Sequence, residues 1–249
     1  MNNCFDLSGK VALVTGGSRG LGYEMVKAFA RAGADVVVTS RKLDACERVA
    51  AEVRALGRRA LAHACHIGHW DEIEALVAAA YGEFGRVDIL VNNAGMSPPV
   101  SNNDAVSEEL FDKVIGVNFK GPYRLTTLVG ARMAAGAGGS IINISSAAAE
   151  RPQAFAIPYS GAKAALNAIT RAFAWELGPK VRVNCIMAGP FLTDIARAWT
   201  EDMNARLAEY SALGRAGRPE EIVSMALCLA SPASSYTSGA LIRVDGGIC

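Results

Sequence analysis

Tyr159 and Lys163 stand four residues apart. On a helix that spacing puts both side chains on one face, one turn apart. A free phenol has a pKa of about 10 and is a poor base near neutrality. A neighbouring ammonium favours the phenolate and lowers that value. Such a pair can give a proton to a carbonyl oxygen or take one from an alcohol. Ser146 lies upstream, and its hydroxyl can hold the same oxygen. Tyr-x-x-x-Lys is also a common surface pair on helices, so its meaning depends on where the fold puts it.

A second group is the histidines. All three in the chain, His63, His66 and His69, fall in one short stretch, with Cys65 among them. Imidazole and thiolate are good zinc ligands. On a strand, however, His63 and Cys65 share one face and His66 takes the other. No second ligand group is evident elsewhere, so no metal is expected. The six Cys show no C-x-x-C and no repeated spacing, which reads as reduced thiols in a cytoplasmic protein.

The elements that must position these residues recur as a short β-branched run, a turn and a helical stretch. The expected strands are 11–15, 35–39, 59–65, 87–91, 140–144, 181–185 and 241–244. Helices are expected over 20–32, 43–56 and 70–84, and Gly33, Gly57 and Gly85 follow them. Continuous apolar strands alternating with helices indicate a parallel sheet covered on both faces. The 249 residues read as one doubly wound α/β domain, 1–249. At 51% hydrophobic and 20% charged, the composition excludes a disordered chain. A net charge of +1 argues against a nucleic-acid partner. No stretch reaches the ~20 apolar residues of a membrane helix, and no signal peptide is seen in the first ten residues.

Ligands of a doubly wound sheet sit at the C-terminal ends of its strands. After the first strand comes Thr15-Gly-Gly-Ser-Arg-Gly-Leu-Gly22, with Gly16, Gly20 and Gly22 spaced G-x-x-x-G-x-G. Without Cβ atoms at the turn, backbone N–H groups and the next helix N-terminus can approach a diphosphate. An acidic residue at the end of the second strand would bond the ribose 2′-OH of NAD(H) and repel a 2′-phosphate. Asp35 begins that strand and lies at the wrong end. The right end carries Thr39-Ser40-Arg41-Lys42, and Arg19 projects from the glycine loop. Arg suits phosphate, so NADP(H) is expected over NAD(H).

These motifs, in this order, resemble the short-chain dehydrogenase/reductase family in its short form. The likeness covers essentially the whole chain. It rests on Thr15 to Gly22, Asn92-Asn-Ala-Gly95, Asn118, Ser145-Ser146 and Tyr159-Ser-Gly-Ala-Lys163. It implies a Rossmann-type sheet of about seven strands. It implies Tyr159 as acid/base, Lys163 as its tuner and ribose ligand, and Ser146, rather than Ser145, as substrate anchor. Asn118 resembles the residue that holds a proton-relay water at a helix irregularity. The resemblance gives cofactor contacts to Gly16, Ser18, Arg19, Gly20, Leu21, Gly22, Ser40, Arg41, His66, Ile67, Asn92, Ala94, Gly95, Tyr159, Lys163, Gly189 and Thr193. It departs at Ala188-Gly189, where Pro-Gly is usual, and at His66, where an Asp is usual, so that either the His66 ring or only the Ile67 backbone meets the adenine edge. Residues 241–247 resemble the tail that packs in a homotetramer or dimer.

Substrate specificity is expected after Gly95 and in a loop or lid over about 189–215. There Phe191, Leu192, Ile195, Ala196, Trp199 and Met203 recur at loose helical spacing, as a lid or as a core helix. Met96, Ser97, Pro98, Gln153 and Phe155 can border the pocket. No charge cluster stands out, which favours a small neutral or apolar carbonyl or alcohol; Arg151 and Arg197 leave room for an acid. The alternative enzyme is a 3-oxoacyl-thioester (acyl-carrier-protein) reductase. The alternative from another class is a non-catalytic NADP-binding sensor, which would keep the glycine loop but lose the Tyr159/Lys163 pair.

Overall fold

The computed structural model describes residues 4–98, 100, 102–193 and 210–248. Its sheet has seven parallel strands in the order β3-β2-β1-β4-β5-β6-β7. They are β1 (Val11–Thr15), β2 (Asp35–Ser40), β3 (Ala60–Ala64), β4 (Ile89–Asn92), β5 (Gly139–Ser146), β6 (Val181–Ala188) and β7 (Leu241–Val244). The order reverses between β1 and β4, which opens a crevice at their C-terminal ends.

Side chains alternate across each strand, so each strand feeds two cores. Val14, Val36, Val38 and Val91 face one layer, against Met25, Phe29 and Val49 of helices α1 (Gly20–Arg31) and α2 (Leu43–Ala55). Helix α3 spans Trp70–Phe84. After it come α4 (Glu108–Ile115), α5 (Gly121–Ala135), α6 (Ile157–Glu176) and α7 (Val223–Ala230). Leu13, Val37, Leu90 and Ile141 face the second layer, packed on Ile73, Leu125, Val129 and Phe173 of α3, α5 and α6. Among the described residues no helix is long and apolar enough to cross a membrane.

The largest departures from the sequence reading are at β4, β5 and β6. Residues 87 and 88 stay outside β4, because the Asp88 carboxylate accepts from the Val11 N–H at 2.9 Å. β5 and β6 run further, pairing Ser145 with Met187 and Ser146 with Ala188. Ser145 and Ser146 are therefore the last residues of a strand and not a turn beyond it. Of the expected lid, residues 194–209, with Ile195, Ala196, Arg197, Trp199 and Met203, lie outside the described residues. Phe191 is a core residue, 6% exposed within the first layer. It bridges to Gly217, where a methyl would fall 2.7 Å from its ring.

Candidate active site

The loop joining β1 to α1 is shaped by its glycines. Gly16 and Gly20 have φ of +64° and +56°, a region that L side chains rarely adopt. A methyl on Gly22 would fall 2.3 Å from the Gly16 carbonyl oxygen and 2.5 Å from Asn93 Nδ2. No side chain caps α1 and no acidic residue stands in its first turn, so its positive end is left for an anion. Gly22→Ala is expected to cost about 2–3 kcal/mol by overpacking, read as a fall of several degrees in Tm. An unchanged Tm would mean that the loop relaxes freely.

The opposite wall of the crevice holds this loop in place. Asn93 Nδ2 donates to the Thr15 carbonyl at 2.8 Å and the Gly16 carbonyl at 3.3 Å. Thr15 Oγ1 accepts from the N–H groups of Asn93 and Ala94, each at 2.9 Å. The sequence reading passed over Asn93; the signal was a second amide directly after β4. Asn92 is turned the other way. It is buried, and its amide donates to Asn143 Oδ1 at 2.8 Å and Thr126 Oγ1 at 3.1 Å. Its side chain ties β4 to β5 and α5 and does not line the crevice.

At the end of β2, Thr39 is buried and Arg41 is exposed. Ser40 Oγ lies 3.1 Å from Cys46 Sγ. Asp35, at the far end of the strand, accepts from the Arg59 N–H at 2.8 Å. Ser18 and Leu21 of the glycine loop are half-buried and Arg19 is exposed. Past β3, Cys65 is buried and its thiol is pushed up to about 12 by burial. His66 is half-buried, and Ile67 packs against the start of α5. Among the described residues no three His, Cys, Asp or Glu side chains gather as a metal site.

Tyr159 and Lys163 emerge from the first turns of α6 and meet the end of β5. Lys163 is buried, and its Nζ donates to the Ile144 carbonyl at 2.7 Å. Burial brings its pKa down to about 8. The Tyr159 ring centroid lies 5.7 Å from that nitrogen. Burial pushes the phenol up, and the hydrogen-bonding Ser146 hydroxyl pulls it down. The expected lowering by the ammonium does not dominate in the protein alone, because Lys163 is turned onto the β5 backbone. Ser146 Oγ accepts from the Ala148 N–H at 3.1 Å. Ser145 Oγ is spent on the Lys163 carbonyl at 3.2 Å, which leaves Ser146 as the hydroxyl beside Tyr159.

Asn118 sits in a π-turn, Gly116–Lys120, between α4 and α5. It is fully buried. Its Nδ2 donates to the Met96 carbonyl at 2.8 Å and the Val114 carbonyl at 2.9 Å, and its Oδ1 accepts from the Met96 N–H at 3.3 Å. Gly95 lies against both groups. A methyl there would fall 3.0 Å from Asn118 Oδ1 and 3.6 Å from Lys163 Nζ. Gly189 donates its N–H to Val244, and a methyl on Gly20 would touch Thr193 at 3.4 Å. The glycine loop and residue 193 thus face each other across the crevice.

A small apolar recess, with room for little more than a water molecule, is lined by Tyr159, Pro98, Val100, Val106, Leu110 and Ala156. Gln153 and Phe155 are exposed outside it. Arg151 Nη1 donates to the Ile248 carbonyl, so this guanidinium is committed to the tail.

A family model described as enoyl-(acyl carrier protein) reductase matches residues 16–249. A 7alpha-hydroxysteroid dehydrogenase of Escherichia coli K12 is 37% identical over 243 residues, covering 97% of this chain and 94% of that protein. A solved 7 alpha-hydroxysteroid dehydrogenase with NADH and 7-oxo glycochenodeoxycholic acid superposes with a TM-score of 0.95 at 36% identity, over 100% of this chain and 97% of that one. An NADPH-dependent 3-quinuclidinone reductase from Rhodotorula rubra superposes at 0.93 with 31% identity, over 99% and 93%. A seven-stranded parallel sheet, a glycine cradle at its switch point and relatives of this identity along its whole length make the chain a member of the short-chain dehydrogenase/reductase family, an oxidoreductase that uses a nicotinamide cofactor.

Proposed function

We propose that the protein is an NADP(H)-dependent reductase of small neutral or apolar carbonyl compounds, acting in the cytoplasm as a homo-oligomer. The observation that carries the reaction is the meeting of Tyr159 with Ser146 and Lys163, with Lys163 and Asn118 both set against Gly95, one loop from the glycine turn.

The loop fits a dinucleotide, because its glycines let it close tightly on Asn93 and leave the uncapped N-terminus of α1, with no acidic residue in its first turn, for the diphosphate. Gly16, Ser18, Arg19, Gly20, Leu21 and Gly22 would hold the diphosphate. Ser40 and Arg41 would take the 2′-phosphate, and His66, Ile67 and the Asn93–Gly95 segment the adenosine. Lys163 and Tyr159 would hold the nicotinamide ribose, and Gly189 and Thr193 the carboxamide. Bound there, the nicotinamide supplies a hydride in reduction and accepts one in oxidation.

This chain's own residues handle the proton. Burial keeps the Tyr159 phenol protonated at neutral pH, so it donates to the substrate oxygen as charge develops there. Ser146 holds that oxygen in line. The Lys163 ammonium, charged below pH about 8, stabilises the phenolate that remains. Asn118 fixes the Met96 backbone, next to Gly95. The side chains beside Tyr159, among them Pro98, Val100 and Leu110, are apolar and would not stabilise a charge, which favours an uncharged substrate.

The family match to an acyl-carrier-protein reductase makes an oxoacyl thioester the competing substrate. The test is NADPH oxidation over matched panels of neutral ketones and 3-oxoacyl thioesters. Turnover of ketones with kcat/KM at least about tenfold above the thioesters is expected. The reverse order assigns the chain to acyl chemistry, and no turnover of either overturns the enzymatic reading.

A further inference from the structure

His66 lies two residues past the end of β3 and Arg41 directly follows β2, whose last pair is Ser40 with Ala64, and the two are close enough for the Arg41 charge to act on the imidazole. On the proposed reading this is where the base of the dinucleotide lies, and the inference rests on that reading. The ring is held on several sides. It stacks on His69 with centroids 4.4 Å apart. Its backbone N–H donates to Glu72 Oε2 at 2.7 Å, and Glu72 Oε1 meets His69 Nδ1 at 2.7 Å. Glu72 belongs to the first turn of α3, so the helix start fixes both histidines.

The tautomer follows from one contact. The Gly68 N–H donates to His66 Nδ1 at 3.2 Å. A nitrogen that accepts carries no hydrogen, so the single proton of the neutral ring sits on Nε2. Burial, His69 and Arg41 all disfavour a second proton, and only Glu72 and the backbone oppose them. Nε2 has no hydrogen-bond partner among the described residues. His66 therefore presents a donor with a fixed direction, where a carboxylate would present acceptors.

The geometry points to His66 as a donor that reads an acceptor edge of the purine base, so that this subsite does not depend on the exocyclic amine of adenine. An amine is itself a donor and cannot bond to Nε2–H. A ring nitrogen can, and so can an oxo group in place of the amine. The inosine-type form of the cofactor should then be accepted as readily as the adenine form.

The test is binding, read by energy transfer from protein tryptophan to bound dinucleotide. NADPH and its hypoxanthine counterpart are titrated into the wild type, His66→Asp and His66→Ala. Wild-type dissociation constants within about threefold of each other are expected, and a preference for NADPH of about tenfold or more in His66→Asp. His66→Ala should weaken both forms together. Wild-type rejection of the hypoxanthine form by tenfold, an unchanged ratio in His66→Asp, or an unchanged affinity in His66→Ala each overturns the assignment. Failure of both nucleotides to bind the wild type overturns the dinucleotide reading beneath it.

Discussion

Tyr159→Phe is expected to lower kcat by about a thousandfold while the dissociation constant for NADPH stays within about threefold. The substitution removes one oxygen and keeps the ring that lines the apolar recess. Ser146 would still hold the carbonyl oxygen, but no group at that point could give it a proton. Lys163 cannot substitute, because its Nζ is directed at the Ile144 carbonyl. The residual rate should come from orientation alone. In the wild type, reduction should fall away above pH about 8, where burial makes Lys163 lose its charge. Below that value the ammonium is present and the phenol is protonated, so the rate should be level on the acid side. A variant that retains turnover would remove Tyr159 as the acid; a rate that rises through pH 8 would remove Lys163 as its charged partner.

Arg41→Ala is expected to weaken NADPH by ten- to a hundredfold and to leave NADH within about twofold, since a charge-assisted hydrogen bond contributes about 1.5–3 kcal/mol. The argument is local. Asp35 is the acidic residue of β2, and it is occupied at the far end of that strand by the Arg59 N–H. Thr39 and Ser40 carry no charge that would repel a phosphate. The structures compared include one with NADH and one named for its NADPH dependence, so the choice rests on these few side chains. Titration of both dinucleotides at two salt concentrations decides it. Part of the NADPH advantage should shrink at high salt, because Arg41 is exposed. Equal losses for the two cofactors would remove the reason for assigning NADP(H).

The sheet was legible from the sequence because its strands are buried runs such as Val36-Val37-Val38, and glycines punctuate the helices. β1, α3 and β7 fall at the residues expected. What escaped was set by partners distant in sequence. The extension of β5 through Ser146 depends on pairing with Ala188. Phe191 reads as part of an amphipathic face, yet it is buried against Gly217. Asn92 and Asn93 are identical in type and adjacent, and only the strand's pleat decides which enters the core and which clasps the glycine loop. Tyr159 and Lys163 were found by spacing, but the lysine's attachment to Ile144 is a tertiary fact.

The stretch from Asn93 to Met96 is fastened at both ends, to Thr15 and Gly16 on one side and to Asn118 on the other. The chain beyond Met96 leaves this clasp to line the apolar recess through Pro98 and Val100. Changes of length or side chain after Met96 leave the fastenings of Gly95 and Asn118 in place, but those at Pro98 and Val100 press on the recess that Tyr159 shares. The clasp is thus a post from which the next stretch can be refitted, and each refit is felt first at the Tyr159 side chain.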